Sequence, residues 1–221
     1  MSVKSVSVIE SYKYAFSKVA QNWLLLFGAW VTIIVISIIG TQVVGGVAMW
    51  CARNIPLIGF LFFPVYSIFI FLLQVYLMCG MLRIVLKIYG DEEVSFADLF
   101  SGLPYLKVYS VATFLYGLIV SVGLLLLIVP GVIWSIKYVF FHFLVLDKQM
   151  QAIDSLKKSS RITDGVKWKL FLFFILMYLF NIAGVCLLFV GLFFTIPMSF
   201  LALAYIYHEL LNQTDNSQMP A

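Results

Sequence analysis

The sequence predicts an all-α polytopic membrane protein: six transmembrane helices forming three pseudo-repeated hairpins, each preceded by an amphipathic helix at the cytoplasmic interface. Three observations carry this. Val108 to Leu146 and Leu170 to His208 are each 39 residues long and hold only Lys137, His142 and the terminal His208 as cationic or histidine side chains. As helix, each would run about 58 Å, nearly twice the roughly 30 Å hydrocarbon core, so each must cross, turn back and cross again. The composition agrees: 63% hydrophobic, 11% charged, mean hydropathy +1.07, where a soluble domain carries about 25% charged residues. Finally, twelve of the fourteen basic residues fall on one side of the predicted membrane.

The elements follow in order. Ser7 to Ala20 is an amphipathic lead, with Ile9, Tyr12, Phe16 and Val19 on one face and Ser7 and Glu10 at capping-box spacing. Span one runs from about Trp23 to Ala48 and is joined by a loop, Met49 to Pro56, to span two, Ile58 to Leu86. Ser95 to Leu103 is a second lead, with Phe96, Leu99, Phe100 and Leu103 on one face and Ser95 and Asp98 as a weaker start signal. Spans three and four are Val108–Val129 and Gly131–Leu146, turning at Val129-Pro130-Gly131, where proline stops a helix and glycine accepts a positive φ. Met150 to Asp164 is a third lead, with Met150, Ile153 and Leu156 opposite Asp154, Lys157, Lys158 and Arg161, and with Gly165 as its stop. Spans five and six, Leu170–Val190 and Leu192–Leu211, turn near Gly191.

Only Arg53, in the first loop, and Lys137, within span four, lie away from the basic side. All ten acidic residues share that side. By the positive-inside rule both termini face the cytoplasm of a bacterial inner membrane. The runs are continuous rather than alternating, which favours helices over a barrel. One membrane domain is expected over residues 1–221, with units of about 7–90, 95–147 and 150–211 and a short disordered tail at 212–221. Ile58-Gly59-Phe60 through Pro64 echoes Val190-Gly191-Leu192 through Pro197, and each unit holds two spans, so the copies are parallel.

Val129-Pro130-Gly131, the aromatic-rich span with a basic residue, Ala152-Ile153-Asp154-Ser155-Leu156-Lys157-Lys158-Ser159 and Gly165-Val166-Lys167-Trp168 together resemble an uncharacterised bacterial six-helix membrane family. That family is similar to the membrane domain fused to some glycerophosphodiester phosphodiesterases. The resemblance covers about Val108 to His208 well and the first hairpin loosely. It implies an architecture and no catalytic residues, and 221 residues leave no room for the soluble phosphodiesterase domain.

Several residues are candidates for function. Lys137 lies about 9 Å along its helix from the far end. It can snorkel to headgroups or touch a lipid phosphate, make an internal contact, or line a transport path. His142, about 16 Å along, can shuttle a proton or sit neutral in a helix interface, with Tyr138 as a local partner. Lys157, Lys158 and Arg161 belong to a basic linker that either attracts anionic lipid, at about 1 kcal/mol per residue, or simply reflects positive-inside topology, which needs no specific lipid. Gln74 and Asn181 are expected to bridge helices, and Thr113, Gly117 and Ser121 form a small-residue stripe for packing. Pro130, Gly131 and Gly191 are structural turn positions.

No metal or cofactor set is expected. Cys51, Cys79 and Cys186 are far apart, with no CxxC, and HExxH, GxSxG and phosphate-loop motifs are lacking. No acidic residue lies within a predicted span. The expected role is therefore non-enzymatic: membrane organisation, lipid interaction or scaffolding. Expected partners are membrane lipids, anionic ones included; homo-oligomers are allowed and nucleic acid is not expected. The alternatives are a small transporter or channel for a lipid-like or hydrophobic solute and, more remotely, an intramembrane enzyme acting on lipids.

Overall fold

The computed structural model describes residues 4–186 and 191–216. Among them the chain forms eight α-helices and two short 3-10 helices. Six stretches are long and apolar enough to cross a membrane, so this is an all-α polytopic membrane protein. Leucine, isoleucine and phenylalanine face outward along the first five, whereas the sixth, Leu192–Asn216, is largely enclosed by the others; the core gathers Leu26, Met81, Phe140, Phe143 and Tyr207.

Helix α1 spans Val8–Asn54, 47 residues, and α2 spans Pro56–Tyr89, 34 residues. At 1.5 Å per residue they are about 70 and 51 Å long. The amphipathic lead is thus continuous with span one, marked only by a kink at Asn22 (φ −116°). There Asn22 Nδ2 donates to the Lys18 carbonyl at 3.1 Å. The capping box at Ser7 and Glu10 does not form; Ser7 N–H instead donates to Glu209 Oε2 at 3.3 Å. The buried face is Ser11, Tyr12, Ala15 and Val19, whereas Ile9 and Phe16 are exposed. The expected loop at Met49 to Pro56 is helical as far as Asn54, because nothing before Pro56 breaks a helix. Ile55 alone is non-helical (φ −139°, ψ 79°), since the residue before a proline avoids the α region.

The second lead is a pair of 3-10 turns, Phe96–Phe100 and Leu103–Tyr105. Its capping box is complete, with Ser95 N–H donating to Asp98 Oδ2 at 2.8 Å. Of the four predicted apolar residues only Leu99 is buried. It is held by backbone contact: a Cβ on Gly80 of α2 would stand 1.8 Å from the Leu99 carbonyl oxygen.

Helix α3, Leu106–Leu126, is followed by α4, Ile128–Tyr138, and α5, Phe141–Asp147. The turn residue is Leu127 (φ −167°, ψ 150°), not Val129-Pro130-Gly131. Pro130 sits in the first turn of α4, where a missing N–H costs nothing, and Gly131 has no positive φ. Gly131 is needed for space: its Cβ would lie 2.5 Å from Leu124, and one on Gly123 would lie 2.9 Å from Gly131 Cα. The third hairpin, α7 (Lys167–Cys186) and α8 (Leu192–Asn216), repeats this. A Cβ on Gly191 would lie 2.7 Å from Gly184 Cα. Gly191 precedes α8 and accepts from Thr195 N–H at 2.9 Å; Val190 lies outside the described residues. Gly59 stands inside α2 whereas Gly191 precedes α8, so the two echoing glycines are not structurally equivalent.

Helix α6, Ala152–Ile162, ends before Gly165, whose φ of +85° requires glycine. Its buried face is Ala152, Ser155, Leu156, Ser159 and Ile162; the expected ridge residue Ile153 is 58% exposed. The irregular N-terminal segment straps α6 to α8. Lys4 Nζ donates to the Arg161 and Ile162 carbonyls at 2.8 and 3.1 Å, where a cation suits a helix C-terminus. Ser5 and Gln213 exchange two bonds of 3.0 Å. Residues 212–216 of the expected tail are therefore helical, with Thr214 buried; the rest of that tail lies outside the described residues.

Candidate functional site

Span four is broken at Val139 and Phe140, between α4 and α5. Backbone groups left open inside an apolar span must find partners, and α6 supplies them. Ser159 Oγ accepts from Phe140 N–H and donates to the Lys137 carbonyl, both at 3.1 Å. Thr163 Oγ1 lies 3.1 Å from the same carbonyl. Ser159 and Thr163 are fully buried. The third lead is thus a plug against the broken span, and that contact fixes which way its outer face points.

The outer face borders a groove of about 500 Å³ between α3, α4 and α6, within the roughly 300–1,000 Å³ of small-molecule sites. Its apolar wall is Leu115 and Ile119 of α3 with Ile153 and Leu156 of α6. Its polar lining is Tyr138, Lys157, Ser160 and Arg161. All four side chains can donate, and among the described residues none is given a protein acceptor or carboxylate partner. Lys137 is outside this lining; its Nζ lies 5.3 Å from the centroid of the neighbouring Tyr138 ring.

The other predicted residues separate from this groove. Lys158 turns toward α8 and pairs with Asp215 at 2.5 Å. His142 is hydrogen-bonded through Nδ1 to Tyr109 Oη at 2.6 Å rather than to Tyr138. Phe141 and Tyr116 enclose its ring, so it clamps α5 to α3. Asn181 does bridge α7 and α8: its Nδ2 donates to Ser199 Oγ and its Oδ1 accepts from Thr195 Oγ1, both at 3.1 Å. Gln74 points outward, as do Gly117 and Ser121. Added bulk at Gly117 would meet open space, so α3 makes its closest approach at Gly123 instead. Thr113 Oγ1 is buried without a partner among the described residues. The three cysteines are free.

The sequence pattern assigns no site role to Ser160, Ser159 or Thr163, and it offers Tyr138 only as a partner for His142. A signal existed for Ser159 and Thr163: Ala152, Ser155, Ser159 and Thr163 form a small and hydroxylic stripe at helical spacing, which suits close helix contact.

Fold and site together define a polytopic helical membrane protein with a laterally placed, donor-rimmed groove. No family model matches the chain, nor does any curated protein or solved structure.

Proposed function

We propose that this is a non-enzymatic bacterial inner-membrane protein that engages lipid at the cytoplasmic leaflet and so organises the membrane around it, with both termini in the cytoplasm. The observation that carries the reading is the outer face of α6. Lys157 and Arg161 are exposed there and take no part in an ion pair among the described residues, next to an apolar wall that suits an acyl chain. Basic residues beside spans attract anionic leaflets, and α6 is held rigidly by its bonds to span four. The test is thermal unfolding of the full chain in nanodiscs. Replacing zwitterionic lipid with anionic lipid should raise the midpoint; equal midpoints in the two compositions would reject the reading.

A solute path along Lys137 and His142 is the competing reading. It would require both side chains on one surface. Lys137 lies over Tyr138, whereas His142 is bonded to Tyr109 and walled by rings. Liposome flux that falls on Lys137→Leu would favour that path over lipid engagement.

A further inference from the structure

We infer that the groove between α3, α4 and α6 is a discrete site for one phospholipid with an anionic phosphodiester headgroup. The inference rests on the lipid reading above and narrows it to named atoms. The four polar side chains of the groove, Tyr138, Lys157, Ser160 and Arg161, are all donors. Ser160 and Tyr138 can also accept, but no lining residue is an acceptor alone and none is a carboxylate. A ligand rich in acceptor oxygens and negative charge satisfies such a set; a cation or a neutral amine does not. Arg161 is suited to bidentate phosphate contact, and Lys157, one turn earlier, to a point-charge contact.

The remaining wall decides between a free anion and a lipid. Leu115 and Ile119 lie on successive turns of α3, with Ile153 exposed beside them. An inorganic phosphate would leave that apolar surface uncovered. A lipid places its phosphate on the α6 rim and lays a chain along α3. The same helix shows the contrast internally: Lys158, one residue from Lys157, is already neutralised by Asp215, so the free cations are confined to the groove side.

The site predicts a lipid that survives purification. The full chain is extracted from nanodiscs containing equal phosphatidylglycerol and phosphatidylcholine, washed in neutral detergent, and its retained lipid is counted by native mass spectrometry. Wild type should hold about one phosphatidylglycerol in preference to phosphatidylcholine. Lys157→Gln with Arg161→Gln should weaken retention by roughly tenfold or more, from about fivefold per basic residue. Ile119→Trp, which fills the wall and leaves every charge in place, should also expel the lipid. Lys158→Gln should retain it. Excess glycerol phosphate should fail to displace it.

Undiminished retention in the Lys157/Arg161 variant overturns the groove assignment, even where anionic nanodiscs still stabilise the chain. Displacement by glycerol phosphate overturns it in favour of a free-anion site. A wild type that keeps no lipid overturns it as well; whether anionic nanodiscs still raise its midpoint then decides the broader reading separately. Folding of each variant is checked by its unfolding midpoint in neutral detergent.

Discussion

The inner and outer faces of α6 carry similar polar side chains in opposite circumstances. On the inner face Ser159 and Thr163 are buried and bonded to the backbone of the broken span. On the outer face Lys157, Ser160 and Arg161 line a groove with no protein acceptor described for them. A buried polar group left unpaired costs about 1–3 kcal/mol, so completing the inner face contributes to stability. An exposed donor has water or headgroups to bond and bears no such demand. One eleven-residue helix therefore has a face that packs and a face left open, to which the proposal assigns lipid, and substitutions should separate the two.

The largest effect is expected on the inner face. Ser159→Ala strips the Phe140 N–H of its acceptor and removes one donor to the Lys137 carbonyl. It should cost about 1–3 kcal/mol, read as a lowered unfolding midpoint in neutral detergent. Next comes the edge between the faces. Asp215→Asn frees Lys158, and because that pair is partly exposed the loss should stay below about 1 kcal/mol. On the outer face, Lys157→Gln with Arg161→Gln should change stability in neutral detergent by no more than about 0.5 kcal/mol.

The smallest effect concerns pH. The Lys167 hydrogen bond and charge beside Asp164 hold its carboxyl below the ordinary carboxylate value. A carboxyl depressed in the folded state contributes stability that is present above its unfolded pKa of about 3.9 and lost as pH falls through its folded value. Asp164 is largely exposed, so screening keeps this slight. Asp164→Asn should flatten only the acid limb of the midpoint-versus-pH curve, below about pH 4.

Much of the fold was legible because hydrocarbon allows few solutions. Two runs of 39 residues cannot cross once, and spans three to six stand where the apolar pattern puts them. The turns were harder to read. Pro130 and Gly131 look like a turn, yet proline is equally at home in the first turn of a helix, and Gly131 answers a steric demand from Leu124 that only the folded hairpin creates. The first loop was invisible as helix because Arg53 and Asn54 are polar, while polarity alone does not break a helix.

The site was legible in part. Lys157 and Arg161 were visible as basic linker residues. Separating them from Lys158 required knowing where Asp215 lies, 57 residues further on. The break in span four has no proline or glycine to announce it; it is stabilised from outside by Ser159 and Thr163. Tyr138 is the partner one helical turn from His142, but the hydrogen bond goes to Tyr109, 33 residues away in sequence.

The most direct measurement crosses the two faces. Unfolding midpoints are taken in zwitterionic and anionic nanodiscs for wild type, Ser159→Ala and the Lys157/Arg161 double glutamine variant. The account predicts that Ser159→Ala lowers both midpoints and keeps the gain from anionic lipid, whereas the double variant keeps the zwitterionic midpoint and loses the gain. An anionic-lipid gain that survives in the double variant, or vanishes in Ser159→Ala alone, would contradict it.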